Sequence, residues 1–198
     1  MKKDGLTLIE VLIAVAILSI VLAAIYSTFF LSHRAIDGMD ESMLKLQESR
    51  RAIDILKREL DSAYVDNEDE QKRTMLKIRD RDIYGKQAAQ LIVTTFSPIR
   101  PGVSKISYYV EEKDKKLVLY KKVESPYKKE ETEGVDIIED LDEFTIEAKY
   151  NDNWVRTWET PDINRNMPQE IKITLSVMVK GRKITLSDVA KPKLGKPV

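Results

Sequence analysis

Glu10 is the residue whose chemistry is least at home in its surroundings. It is the one charged side chain in the apolar run from Leu6 to Leu31, 26 residues that would reach about 39 Å as an α-helix. That exceeds the roughly 30 Å hydrocarbon core of a bilayer, so the run can span a membrane. A charged side chain at the centre of such a span costs about 2.5 to 3.5 kcal/mol by insertion scales, and an intramembrane acid marks a functional site that needs a partner. Elsewhere the chemistry is sparse. His33 is the only histidine and cysteine is absent. Catalytic histidines work with partners in reach, and an interfacial polar role suits His33 better. No Gly-x-Ser-x-Gly and no recognised metal-ligand spacing occurs. The acids between Val65 and Lys72 could hold calcium, but a calcium loop turns about a glycine and this stretch has none. Asp140 and Asp142 could do acid/base work in a cleft, which nothing in the sequence supplies. No enzyme activity, no metal and no cofactor is expected.

The elements that would hold these residues follow from spacing. The apolar run is too long for an ordinary secretory signal, whose apolar stretch is about 7 to 15 residues. Beyond Leu31, apolar residues continue at helical steps through Ile36, Met39, Met43, Leu46, Ile53, Leu56, Leu60 and Tyr64, with charges on the opposite face. No proline interrupts Leu6 to Tyr64. The period then changes to two. Leu91 to Phe96, Val103 to Val110, Lys116 to Val123 and Phe144 to Tyr150 read as strands, with Asn151-Asp152-Asn153 turning into Trp154 to Trp158. A hairpin across Glu112 to Lys115 is expected to set Val110 against Leu117 and Tyr108 against Leu119. A Gly181-Arg182 turn is expected to set Val179 against Ile184 and Val177 against Leu186.

The expected fold class is α+β, a long N-terminal helix whose second half packs on an antiparallel sheet. The expected segments are a leader at 1–5, a membrane helix at 6–31, an amphipathic extension at 32–64, a β-rich domain at 65–190 and a flexible tail at 191–198. Basic and acidic residues balance at 33 each, so nothing suggests nucleic acid. Lys2 and Lys3 precede the apolar run, which puts the leader in the cytoplasm and the bulk of the chain across the membrane. Without cysteine the domain must rely on its own core.

Gly5 followed by Leu6-Thr7-Leu8-Ile9-Glu10 resembles the leader of type IV pilins and type II secretion pseudopilins. The resemblance implies cleavage between Gly5 and Leu6 by a prepilin peptidase, N-methylation of Leu6, and Glu10 as the fifth residue of the mature chain with a role in filament assembly. The partner so implied is the freed Leu6 amine of a neighbouring subunit. At about 4 Å and an effective dielectric near 20, the attraction is roughly 4 kcal/mol before desolvation. Glu10 could instead reach the headgroups or pair with its own Leu6 amine at i,i+4. Within the family, Tyr150-Asn151-Asp152-Asn153-Trp154, then Trp158, Pro161 and Met167-Pro168 leading into Ile171 to Leu175, is similar to the J-type minor pseudopilins of type II secretion. These join I-type and K-type subunits at the tip of a short periplasmic filament anchored in the inner membrane, beside a major pseudopilin. Many type IV pilins carry a disulfide loop that this chain cannot make. A minor pilin of a type IV pilus, used in adhesion, motility or DNA uptake, is the alternative.

Trp154 and Trp158 share a face if they lie on one regular strand, either in the core or as aromatic anchors at a partner. Lys121 and Lys122 belong to a lysine-rich stretch that precedes an acidic one, Glu130 to Glu143; it is either a solvated hairpin face or a patch that sets register with a neighbour. Glu10→Ala is expected to insert into the membrane yet stay out of filaments, as read by cross-linking of membrane fractions; normal incorporation would remove the assembly role.

Overall fold

The computed structural model describes residues 7–66, 68, 73–96, 102–128, 132–160 and 166–193, with the side chains at 35 and 37–41 excepted. Gly5, Leu6, Pro161, most of the acidic loop after Asp66 and the last five residues lie outside the described residues. The chain divides into two compact units, Met1–Leu44 and Lys45–Val198. One helix, α1 (Leu8–Asp61), contributes to both.

In the first unit the apolar side chains from Leu8 to Leu31 are exposed on every side of the helix. A helix that is apolar all round needs a solvent other than water. Two of its hydroxyls are satisfied within the helix: Ser19 donates to the Val15 carbonyl at 2.8 Å and Thr28 to Ala24 at 2.9 Å. Bonded four residues back, neither hydroxyl requires water.

In the second unit the helix has a buried stripe and a wet face. Ser49, Ala52, Ile53, Leu56, Glu59 and Leu60 are buried, while Arg50, Arg51, Asp54 and Arg58 are exposed. The stripe expected from Ile36 is thus covered only from Ser49 onward, and Ile36 and Met43 are exposed. The cover is an antiparallel sheet of β1 (Leu76–Arg79), β4 (Gln90–Phe96), β5 (Val103–Lys113), β6 (Lys116–Glu124), β7 (Val135–Tyr150), β8 (Asn153–Val155), β9 (Trp158–Glu159), β10 (Ile171–Val179) and β11 (Arg182–Ala190). Its order is β11-β10-β7-β6-β5-β4-β1-β9, with β8 paired to β7; β2 (Asp82–Ile83) and β3 (Lys86–Gln87) form a separate small hairpin. Alternate residues, among them Leu91, Val93, Ile106, Tyr108, Val110, Leu119, Phe144, Ile146, Ile173 and Leu175, point to the core that Leu56 and Leu60 complete.

Both expected hairpin registers are two residues out. Val110 pairs with Leu119 and Tyr108 with Lys121, while Val177 pairs with Ile184 and Leu175 with Leu186. The reason is turn chemistry. Asp114 and Lys115 (φ 52° and 64°) and Lys180 and Gly181 (φ 49° and 74°) make two-residue turns with both φ positive. Such turns match the twist of the strands they join, so the first hairpin closes tighter than a four-residue loop, while the second turns one residue earlier than Gly181-Arg182. A shift of two keeps every side chain on its expected face.

The helix end recruits the far end of the chain. Thr95 Oγ1 donates to the Glu59 carbonyl at 2.8 Å, and the Lys193 amide donates to the Asp61 carbonyl at 3.1 Å. The Lys191 amide donates to Asp61 Oδ1 at 2.7 Å. The first two satisfy carbonyls that a helix terminus otherwise leaves open, and the third ties the same residue's carboxylate to the chain after β11. They also correct the expected tail: residues 191–193 are held against α1, and β11 reaches Ala190. Leu56→Ala, at a fully buried position, is expected to cost about 2–5 kcal/mol, and Arg51→Ala on the wet face within about 0.5 kcal/mol, both read by urea denaturation of the detergent-solubilised chain.

Candidate functional site

Thr7 and Glu10 form a reciprocal cap at the start of α1. The Thr7 amide and hydroxyl each donate to Glu10 Oε2 at 2.8 Å, and the Glu10 amide donates to Thr7 Oγ1 at 3.4 Å. This is the capping-box arrangement of a Thr at the N-cap and a Glu three residues on. The carboxylate also sits at the positive end of the helix dipole. Glu10 is therefore held by its own helix through one oxygen, while Oε1 accepts no hydrogen bond among the described residues.

The second unit holds a buried charge cluster that spacing alone does not single out. Glu59, on the covered stripe of α1, is 6% exposed. It pairs with the Lys121 ammonium and accepts a hydrogen bond from the Tyr108 hydroxyl at 2.6 Å. Tyr108 and Lys121 are cross-strand neighbours on β5 and β6, so the sheet presents both groups to one carboxylate. Burial, reinforced by the Glu59 charge, pushes the Tyr108 hydroxyl well above its ordinary range and keeps it a donor. Lys121 is thus no partner contact. Its alternation with Leu117 and Leu119 turns it inward, whereas Lys122 faces outward, 2.9 Å from Glu124. The signal for Glu59 was its place between Leu56 and Leu60 on the apolar stripe.

The two tryptophans part company. Trp158, at 1% exposure, pairs through Ile78 with β1, and Tyr150 meets it edge to face. Trp154 sits across from Lys149 on the outer face at 39% exposure, with the Lys172 ammonium 5.7 Å from its ring centre. The expectation that they share a face fails because the chain bends at Arg156, and β8 and β9 pair with different strands. The acidic stretch is likewise answered from within. Asp142 lies 2.9 Å from Lys86 and 3.1 Å from Lys183, Asp140 lies 2.9 Å from Lys116, and Asp136 lies 3.8 Å from Lys113. The hydrogen bond from Lys86, with a second from Lys183, holds the Asp142 carboxyl below its usual value. Asp140 (φ 57°) marks an irregularity where β7 changes register against its neighbours.

Residues 28–185 match the family described as Type II secretion system (T2SS), protein J. The chain belongs to that family. It is a minor pseudopilin of type II secretion, and the type IV pilus alternative is not favoured. Residues 1–26 match the prokaryotic N-terminal methylation motif, consistent with a single-pass, membrane-anchored subunit of a pseudopilus. Among solved structures, a chain from the crystal structure of the GspK-GspI-GspJ complex of the enterotoxigenic Escherichia coli type 2 secretion system is similar. It aligns at 11% identity and a TM-score of 0.46, over 74% of this chain and 97% of that one. No curated protein matches.

Removing one member of the buried pair leaves the other charge unanswered, at a cost of about 3–5 kcal/mol. Lys121→Ala and Glu59→Ala should each lose about that much in urea denaturation, and Glu59→Gln/Lys121→Met should recover most of it. Single variants of unchanged stability would show that the pair bears nothing.

Proposed function

We propose that this protein is a non-enzymatic structural subunit of the tip complex of the secretion pseudopilus, anchored in the bacterial inner membrane with its β-rich domain in the periplasm. The reading is carried by the family match across 28–185 joined to a helix of membrane-spanning length whose one internal charge is Glu10. In this reading a prepilin peptidase cuts between Gly5 and Leu6, and Leu6 is then N-methylated. Glu10 guides the subunit into the filament, its Oε1 meeting a neighbour's terminal amine while Thr7 holds Oε2. I-type and K-type pseudopilins are the tip partners and the major pseudopilin lies below them.

Trp154 is the side chain proposed to meet a tip partner. It is half exposed on the outer face of the sheet, and its neighbours Glu147, Lys149, Arg156 and Lys172 pair with one another or with nearby acids. An aromatic inside a ring of satisfied polar groups is the arrangement of an interface anchor. Lys122 belongs to a separate part of the outer face and is a second, rim-type contact. Co-purification of the full chain with candidate I-type and K-type subunits tests the proposal. Capture of both is expected, with Trp154→Ala reducing it at least tenfold and Lys122→Glu by less. Failure to capture either subunit would remove the tip assignment, and capture unaffected by Trp154→Ala would remove the anchor.

A further inference from the structure

The apolar part of α1 is longer than a bilayer requires, and its two ends differ chemically. The span Leu8–Arg34 holds 27 residues, about 40 Å of helix, against a core of roughly 30 Å. Some feature must decide which twenty or so residues lie in hydrocarbon. At one end stands Glu10. At the other, Tyr26, Phe29, Phe30 and His33 follow at steps of three, one and three, which places all four on one helical face, and Arg34 comes next. Tyr26 is 75% exposed, Phe29 66% and Phe30 58%. Phe29 and His33 meet edge to face with ring centroids 6.0 Å apart.

We infer that Tyr26, Phe29, Phe30 and His33 form a one-sided anchor that seats at the headgroup boundary of the phospholipid bilayer and sets the depth of α1. Tyr26 and His33 carry polar tips on apolar bodies, the side-chain type that settles at a membrane surface, and Arg34 can reach outward beside them. From Glu10 to Phe30 the helix rises about 30 Å, the thickness of the hydrocarbon. When the aromatics sit at one boundary, Glu10 sits at the other. The carboxylate is then wet in the unassembled subunit, and its desolvation is deferred until the subunit leaves lipid for the filament. A lipid seat also suits the residue types, since helices that pack on each other in membranes favour small residues at the contact and this face is bulky.

The inference rests on the membrane-anchored reading above, and the test separates the two. The chain has no cysteine, so single spin labels can be placed at Val11→Cys, Ile20→Cys and Ser32→Cys of the full chain. Depth is read from oxygen against nickel-chelate accessibility in phosphatidylethanolamine–phosphatidylglycerol vesicles. The Ile20 label should be deepest, with the other two near the surfaces. Tyr26→Leu/Phe29→Leu/Phe30→Leu should draw the Ser32 label inward by about one turn, roughly 5 Å, and push the Val11 label outward. Tyr26→Trp should change neither. An unshifted depth profile in the triple variant would overturn the anchor, and the more so if labels at Leu22→Cys, on the same face, couple magnetically, which would assign the face to a second helix. Failure of the unsubstituted chain to float with vesicles would overturn the membrane reading itself.

Discussion

One stripe of a single helix must be hidden from water, and the folded domain is the solution to that requirement. Between Ser49 and Leu60 the apolar side chains of α1 recur at helical spacing, too narrow a stripe to bury itself. Antiparallel strands with alternating inward side chains supply the missing surface, and Leu56 and Leu60 disappear completely beneath them. Apolar burial is non-directional, so it does not by itself choose how far the helix slides along the sheet. The Glu59–Lys121–Tyr108 cluster does, because a carboxylate displaced by one turn would lose both partners. A buried ion pair adds little net stability, but its directionality favours one register of helix on sheet.

In the apolar half, the same backbone solves the opposite problem. Past the first turn every amide of a helix is satisfied internally, and the hydroxyls of Ser19 and Thr28 fold back onto carbonyls, so none of these groups asks for water. Glu10 is the exception, and Thr7 answers half of it. A carboxylate with one oxygen held by its own helix, and the other without a hydrogen bond among the described residues, has a fixed orientation and a free acceptor.

Much of this is legible in the amino-acid order alone. Helix α1 ends within three residues of the expected limits, because an uninterrupted 3.6-residue pattern without proline leaves little choice. The strands are visible from alternation. What fails is turn chemistry: Asp114-Lys115 lacks the Asn-Gly or Asp-Gly signature of a two-residue turn, so the pattern reads as a longer loop and the expected register slips by two. Lys121 fails for a different reason. Its parity with Leu117 and Leu119 already places it inside, but a lysine is expected outside, and only the structure shows the acid that receives it. For Trp154 and Trp158 the counting is right and the premise of one regular strand is wrong.

The bonds from Lys191 and Lys193 to Asp61 join positions 130 and 132 residues apart in sequence. Synthesis makes the helix early, yet the groups that finish its terminus come only after β11. Because β11 is also an outermost strand, a nascent product lacking it exposes the flank of β10 as an unpaired edge. Closure of the domain therefore waits on β11 and the residues just after it: without them both the helix terminus and that edge stay uncovered.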